Sequence, residues 1–161
     1  AFSATLAKDL IRVEVDGVMY ALEVASIREI VNPLPLIALP HERPFVIGVS
    51  DYRESVVAIV DLRRLFGLPA QDKNRRTKWI IIETDGKLVG VVVDAVLDVF
   101  SSAEEKSREV PVLDERHRER GIASAFRHDR QLVFLLDVRR LVEPAMAIPR
   151  GELPSLPSEA P

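Results

Sequence analysis

The sequence predicts an all-β fold, two five-stranded β-barrels packed together with short helices between strands, and three observations carry that reading. Apolar and polar residues alternate in short segments joined by Asp-Gly pairs, the order of these segments occurs twice, and one segment, Trp79-Ile80-Ile81-Ile82, is apolar on both faces. Alternation at period two is the signature of a half-buried strand, and a strand apolar on both faces belongs between two layers. A single open sheet of so many short strands would leave exposed edges, which closure into barrels removes.

From the N-terminus, Leu10, Arg12 and Glu14 alternate with Ile11, Val13 and Val15, and the Asp16-Gly17 turn leads into a second strand over Met19 to Val24. An Asp-Gly pair between alternating segments marks a hairpin because its turn needs positive φ. In Ala25 to Val31 the apolar residues Ile27, Ile30 and Val31 recur at helical spacing, which predicts a short helix or irregular turn. Pro33, Pro35, Pro40 and Pro44 then stiffen an extended connection and remove ladder donors from it. Strands follow over Val46 to Tyr52 and Val56 to Val60, with a tight turn near Arg53, Glu54 and Ser55. Asp61-Leu62-Arg63-Arg64-Leu65-Phe66-Gly67 reads as an aspartate-capped short helix closed by glycine. A charged linker, Gln71 to Lys78, comes next.

The second half repeats this order. Asp85-Gly86 lies 69 residues after Asp16-Gly17, and Asp94 to Phe100 stands at the same offset from Ala25 to Val31. Gly121 to Asp137 resembles Gly48 to Asp61 with a hairpin loop about three residues longer. The expected domain is 10–143, built of two pseudo-repeated barrels, preceded by an extension over 1–9. From 149 to 161 prolines, serines and acids replace the periodic hydrophobics, which predicts a flexible tail.

Composition narrows the chemistry. A net charge of −3 offers no field that would gather phosphate backbones, and the basic clusters Lys73-Asn74-Arg75-Arg76 and Arg116-His117-Arg118 are interrupted by Asp72, Glu115 and Glu119, with no aromatic residues to stack bases. There is no cysteine, which excludes disulfides and thiolate metal sites. The longest apolar runs, Val56 to Val60 and Val89 to Val93, are far shorter than the roughly 20 residues a spanning helix needs. No basic-then-apolar signal segment opens the chain, and its start at Ala1 leaves upstream sequence open.

His41, His117 and His128 read as surface loop histidines without metal-binding spacing, the seven glycines form no phosphate loop, and Ser50, Ser55 and Ser124 lack a histidine partner. Asp61 and Asp137 are equivalent carboxylates, and each precedes a Leu/Val-Arg-Arg-Leu segment as a helix cap does. The expectation is a protein with no catalytic residues, no cofactor and no metal.

The stretch Gly48 to Arg63, with Asp51-Tyr52-Arg53-Glu54 at its turn and Val60-Asp61-Leu62-Arg63 at its end, resembles the signature of the CheW-type coupling proteins. Tyr20-Ala21-Leu22, Ile27-Arg28-Glu29-Ile30-Val31, Leu39-Pro40 to Pro44-Phe45, and Val89-Gly90-Val91-Val92-Val93-Asp94 agree in kind and order, so the likeness covers roughly residues 10 to 143. The resemblance implies two SH3-like barrels without enzymatic activity, acting in the cytoplasm as an adaptor between the cytoplasmic tip of a methyl-accepting chemoreceptor and the regulatory domain of a CheA-type histidine kinase, in membrane-associated receptor arrays. It also implies partner contacts at Arg53, Glu29 and Ile27, with Tyr52 and Glu54 beside them. The family turn is Asn-Leu-Arg-Gly, so this chain departs from it with an acid where glycine would allow positive φ. Either the turn takes another geometry or Glu54 partly neutralises Arg53. Two other readings stay open, a regulatory piece of a larger histidine kinase or scaffold, and a barrel-type nucleic-acid binder.

Overall fold

The structure, a computed structural model, describes residues 8–41, 43–102, 107–108, 121–146 and 148. The first half supplies β1 (Asp9–Val15), β2 (Val18–Glu23), a single 3-10 turn (Val24–Ser26), β3 (Ile27–Val31), β4 (Val46–Tyr52), β5 (Ser55–Asp61) and α1 (Leu62–Leu65). The second supplies β6 (Lys78–Thr84), β7 (Lys87–Val93), β8 (Ala95–Ser101), the two-residue β9 (Ser107–Arg108), β10 (Ile122–His128), β11 (Gln131–Leu136) and α2 (Val138–Met146).

The halves exchange hairpins. One sheet runs β8-β1-β2-β11-β10-β9 and the other β3-β6-β7-β5-β4, so each takes one hairpin from one half and its other main strands from the other half. Matching β1, β2, β3, β4 and β5 with β6, β7, β8, β10 and β11 turns the second order into the first, β9 being the one addition. Parallel pairing occurs at equivalent places, β5 with β7 and β11 with β2. The duplication read from the sequence is therefore a pseudo-twofold relation between two closed units, not two units each built from contiguous chain.

Alternation along the strands decides where the core lies. Ile11, Val13, Val15, Tyr20 and Leu22 from one sheet meet Val49, Val60, Ile80, Ile82 and Val91 from the other in a single buried cluster. Each sheet carries a smaller cluster on its opposite face, Leu10, Ala21, Phe100, Phe126 and Val133 in the first, Tyr52, Val57, Ile59, Trp79 and Ile81 in the second. In β6, Ile80 and Ile82 face the shared cluster while Trp79 and Ile81 face the other, and all four are buried. The both-sided segment is the seam strand its pattern predicts.

The Asp-Gly turns have positive φ at both residues, 53° and 75° at Asp16-Gly17 and 51° and 75° at Asp85-Gly86. Asp61 caps α1 by accepting a hydrogen bond from the Arg63 amide at 3.0 Å, and Asp137 does the same for Arg139 at 3.0 Å. Burial pushes the Asp61 carboxyl up, against the hydrogen bond that its capping role provides.

Several expectations are corrected. Residues 27–31 form strand β3, not a helix or irregular turn; its register shifts between Ile27 and Glu29 where it pairs with β6, and that bulge breaks the period-two pattern and leaves apolar residues at helical spacing. The β10–β11 loop is not longer than its counterpart, since both hairpins turn on two residues, Arg53-Glu54 and Asp129-Arg130. The residue equivalent to Gly121 is Phe45, not Gly48: the Phe45 carbonyl accepts from the Asp61 amide at 2.9 Å and the Gly121 carbonyl from the Asp137 amide at 2.6 Å. Both take positive φ, 68° and 78°. Of the expected extension over 1–9, residues 1–7 lie outside the described residues and Asp9 already belongs to β1; the tail over 149–161 and the cluster around His117 also lie outside them.

Candidate functional site

In the second sheet β3 and β4 are the two outermost strands, and they are the edges that closure must bring together. Their side chains do this. From the β4–β5 turn, Arg53 donates from Nε to Glu29 Oε1 at 2.8 Å and from Nη2 to Glu29 Oε2 at 3.0 Å, a bidentate pair across the closing edge. Tyr52, at the end of β4, donates its hydroxyl to Glu29 Oε1 as well. The Arg53 guanidinium carbon lies 5.7 Å from the Tyr52 ring centroid, within range of a cation–π attraction.

The sequence explains each placement. The bulge in β3 puts Glu29, not Arg28, toward β4, while Arg28 pairs with Glu83 at 2.9 Å. Tyr52 keeps its ring in the apolar cluster with Trp79 and Ile81, and only its hydroxyl reaches the carboxylate. Arg53 and Glu54 take φ of 45° and 68°, so the hairpin keeps the positive-φ geometry without the glycine that favours it. The carboxylate that holds Arg53 is Glu29.

Electrostatics follow the geometry. Hydrogen bonds from Arg53 first, then from Tyr52, lower the Glu29 carboxyl from its ordinary 4.5 to about 2. Desolvation, followed by the hydrogen bond to Glu29, raises the Tyr52 phenol. The hydrogen bond to Glu29 raises Arg53 further, so the ion pair is complete across the physiological range. Arg53 nevertheless keeps 71% of its side chain exposed, against 32% for Glu29. This is a fixed cation at the surface, held by groups that cannot easily let it swing.

The residues expected at a site separate into two groups. Glu29, Tyr52 and Arg53 form one hydrogen-bonded unit, with Glu54 exposed on the same turn. Ile27 is not part of it, being half-buried and packed on the shared cluster. Close by on β3, Ile30 is exposed, as are Leu36 and Ile37 in the proline-rich connection.

Two features escape the sequence reading. Arg63 donates from Nη2 to Asp94 Oδ2 at 2.7 Å and from Nε to Asp94 Oδ1 at 2.9 Å, joining the halves by a largely buried pair. Burial is the largest single influence and works to raise Asp94, but the Arg63 hydrogen bonds, the Asp16 amide and the charges of Arg63 and Arg76 together lower the carboxyl. Arg63 lies in α1 just after β5 and Asp94 just after β7, and no local pattern in the sequence signals that these two parallel neighbours bring the pair together. His128 is also not a loop histidine, since it ends β10 with 11% of its side chain exposed and stacks on Phe100 at 4.1 Å between centroids. In the basic stretch at 73–76, Arg76 lies 3.5 Å from Glu14.

The model of the CheW-like domain family matches residues 9–145. The "Probable chemotaxis protein CheW" of Rhizobium etli is 28% identical over 137 residues, 83% of this chain and 86% of the relative. The "Chemotaxis protein CheW" of Thermotoga maritima is 25% identical, covering 84% of this chain and 87% of the relative. A solved structure, that of scaffolding protein TtCheW from Thermoanaerobacter tengcongensis, superposes with a TM-score of 0.74 at 20% identity, over 89% of this chain and 94% of the other, and so shares the fold of two SH3-like barrels. With the family model spanning both barrels and the seam between them, the chain belongs to the CheW-like domain family.

Proposed function

We propose that this protein is a non-enzymatic adaptor of a chemosensory pathway, coupling the cytoplasmic tip of a methyl-accepting chemoreceptor to the regulatory domain of a CheA-type histidine kinase. Membership of the CheW-like family supports the pathway. The observation that carries the site is the exposed Arg53, pre-organised by Glu29 and Tyr52 at the closing edge of one barrel. A partner meeting such a group need not freeze a free arginine, because its rotamer is already restricted.

Arg53 is the charged contact in this reading, Glu29 and Tyr52 position it, and Glu54 sets the local charge that a partner must tolerate. Ile27 supports the strand from within rather than meeting the partner. No described helix is long and apolar enough to cross a bilayer. In this reading the protein joins a cytoplasmic, membrane-associated array through its partners.

The test is binding of the purified chain to a chemoreceptor tip fragment and to a kinase regulatory domain by calorimetry. Arg53→Glu reverses the exposed charge and sets two carboxylates against each other, so affinity for at least one partner falls about tenfold or more, as truncating one member of a charged contact commonly does. Circular dichroism checks that the variant keeps its β content. Unchanged affinity for both partners in a folded variant would reject the site.

A further inference from the structure

The pseudo-twofold relation supplies a second closing edge to compare with the first. In the first sheet β8 and β10 are the counterparts of β3 and β4, with β9 beyond β10, and the counterparts of Glu29, Tyr52 and Arg53 there are Asp98, His128 and Asp129. An acid stays on the edge strand and an aromatic ring stays at the end of its partner. The turn cation, however, is replaced by a second acid. His128 Nε2 lies 3.7 Å from Asp98 Oδ2 and 3.7 Å from Asp129 Oδ2, and one ligand atom from each of the three residues falls within 4.8 Å of the others.

We propose that Asp98, His128 and Asp129 form a binding site for a divalent first-row transition-metal ion of the zinc class. Donors on a tetrahedral ion at about 2.0 Å sit roughly 3.3 Å apart, so the His128 separations need only a few tenths of an ångström of contraction. Both carboxylates can supply it by moving toward the imidazole, Asp129 being on the two-residue turn with 74% of its side chain exposed and Asp98 keeping 40% exposed. One imidazole nitrogen with two carboxylates is a borderline donor set that suits such ions better than magnesium or calcium.

The surroundings orient two of the three ligands. The His128 ring is stacked on Phe100 with an interplanar angle of 16°. Arg12 donates from Nε to Asp98 Oδ1 at 2.9 Å and from Nη2 to Asp98 Oδ2 at 3.1 Å, while its Nη1 reaches Gln131. Arg12 orients the Asp98 carboxylate as an outer-shell partner orients a ligand. It balances one of the two carboxylate charges. An ion here would tie the β10–β11 turn to β8, the task that Arg53 performs at the other edge.

The experiment uses the full chain without an affinity tag, titrated with Zn2+ by calorimetry and with Co2+ by visible absorption, alongside His128→Ala and Asp129→Asn. The asparagine variant keeps a residue that tolerates the positive φ of that turn and disturbs no core packing. His41 and His117 remain in both variants, so binding elsewhere is distinguished. One-to-one binding at micromolar Zn2+, weakened about tenfold or more in each variant, is the expected result. Binding only at millimolar Zn2+, or retained in either folded variant, would overturn the proposal.

Discussion

At the residue scale, Glu29 is the group on which the closing edge depends, and its titration makes that measurable. Its carboxyl is lowered from 4.5 to about 2 by Arg53 and Tyr52, so the folded state binds its proton less readily than the unfolded chain. The contribution to stability is present in full above the unfolded value and is lost as pH falls from about 4.5 toward 2. Glu29→Gln therefore flattens the fall in urea midpoint over that window and leaves the profile between pH 6 and 8 parallel to wild type. Carboxyl carbon shifts of Glu29 that titrate near 4.5 would contradict the pairing. Glu54 makes a separate prediction from its φ of 68°. A side chain in the left-handed region costs on the order of 1 kcal/mol, so Glu54→Gly raises unfolding free energy by up to about that amount, read from urea denaturation. A lower midpoint would mean that the acid stabilises the turn through its charge.

At the scale of elements, caps and bulges mark what could and could not be read in advance. Asp137 accepts from the Arg139 amide at the start of α2, and removing that acceptor leaves a helix donor without its partner. Asp137→Ala lowers stability by about 1 kcal/mol in a denaturant melt, with Asp137→Asn close to wild type because the amide oxygen still accepts. Equal losses in both variants would point to charge rather than capping. The cap was legible because capping is local, an aspartate immediately before its helix. Strand β3 was not, because its bulge at Arg28 displaces the alternation and leaves Ile27, Ile30 and Val31 in a helix-like pattern. The Arg53–Glu29 pair was hidden for another reason. Both residues stand out by resemblance, but no local rule connects positions on strands that meet only when the barrel closes. Asp98 and His128 share that difficulty, as the repeat that links them to Glu29 and Tyr52 uses a different offset in each strand pair.

At the scale of the whole molecule, hairpin exchange sets how the protein must fold. A chain cut in the charged linker between Gln71 and Lys78 would leave the first half with β1–β2 parted from β8 and β11, and with β3 parted from β6, its ladder partner. The second half would lose β1 and β2 from the middle of one sheet, and its β6–β7 hairpin would lose β3 and β5. Neither piece could bury the shared cluster, to which both sheets contribute. Arg63 and Asp94, one from each half, would each lose the partner that offsets its burial. Each half expressed alone is therefore expected to show neither cooperative melting nor dispersed amide resonances. Mixing the two restores both at one-to-one stoichiometry, and the intact chain unfolds in a single transition when circular dichroism and Trp79 fluorescence are followed together. A half that melts cooperatively by itself would show that folding does not require the exchanged hairpins, and two resolved transitions in the intact chain would show that the barrels unfold independently.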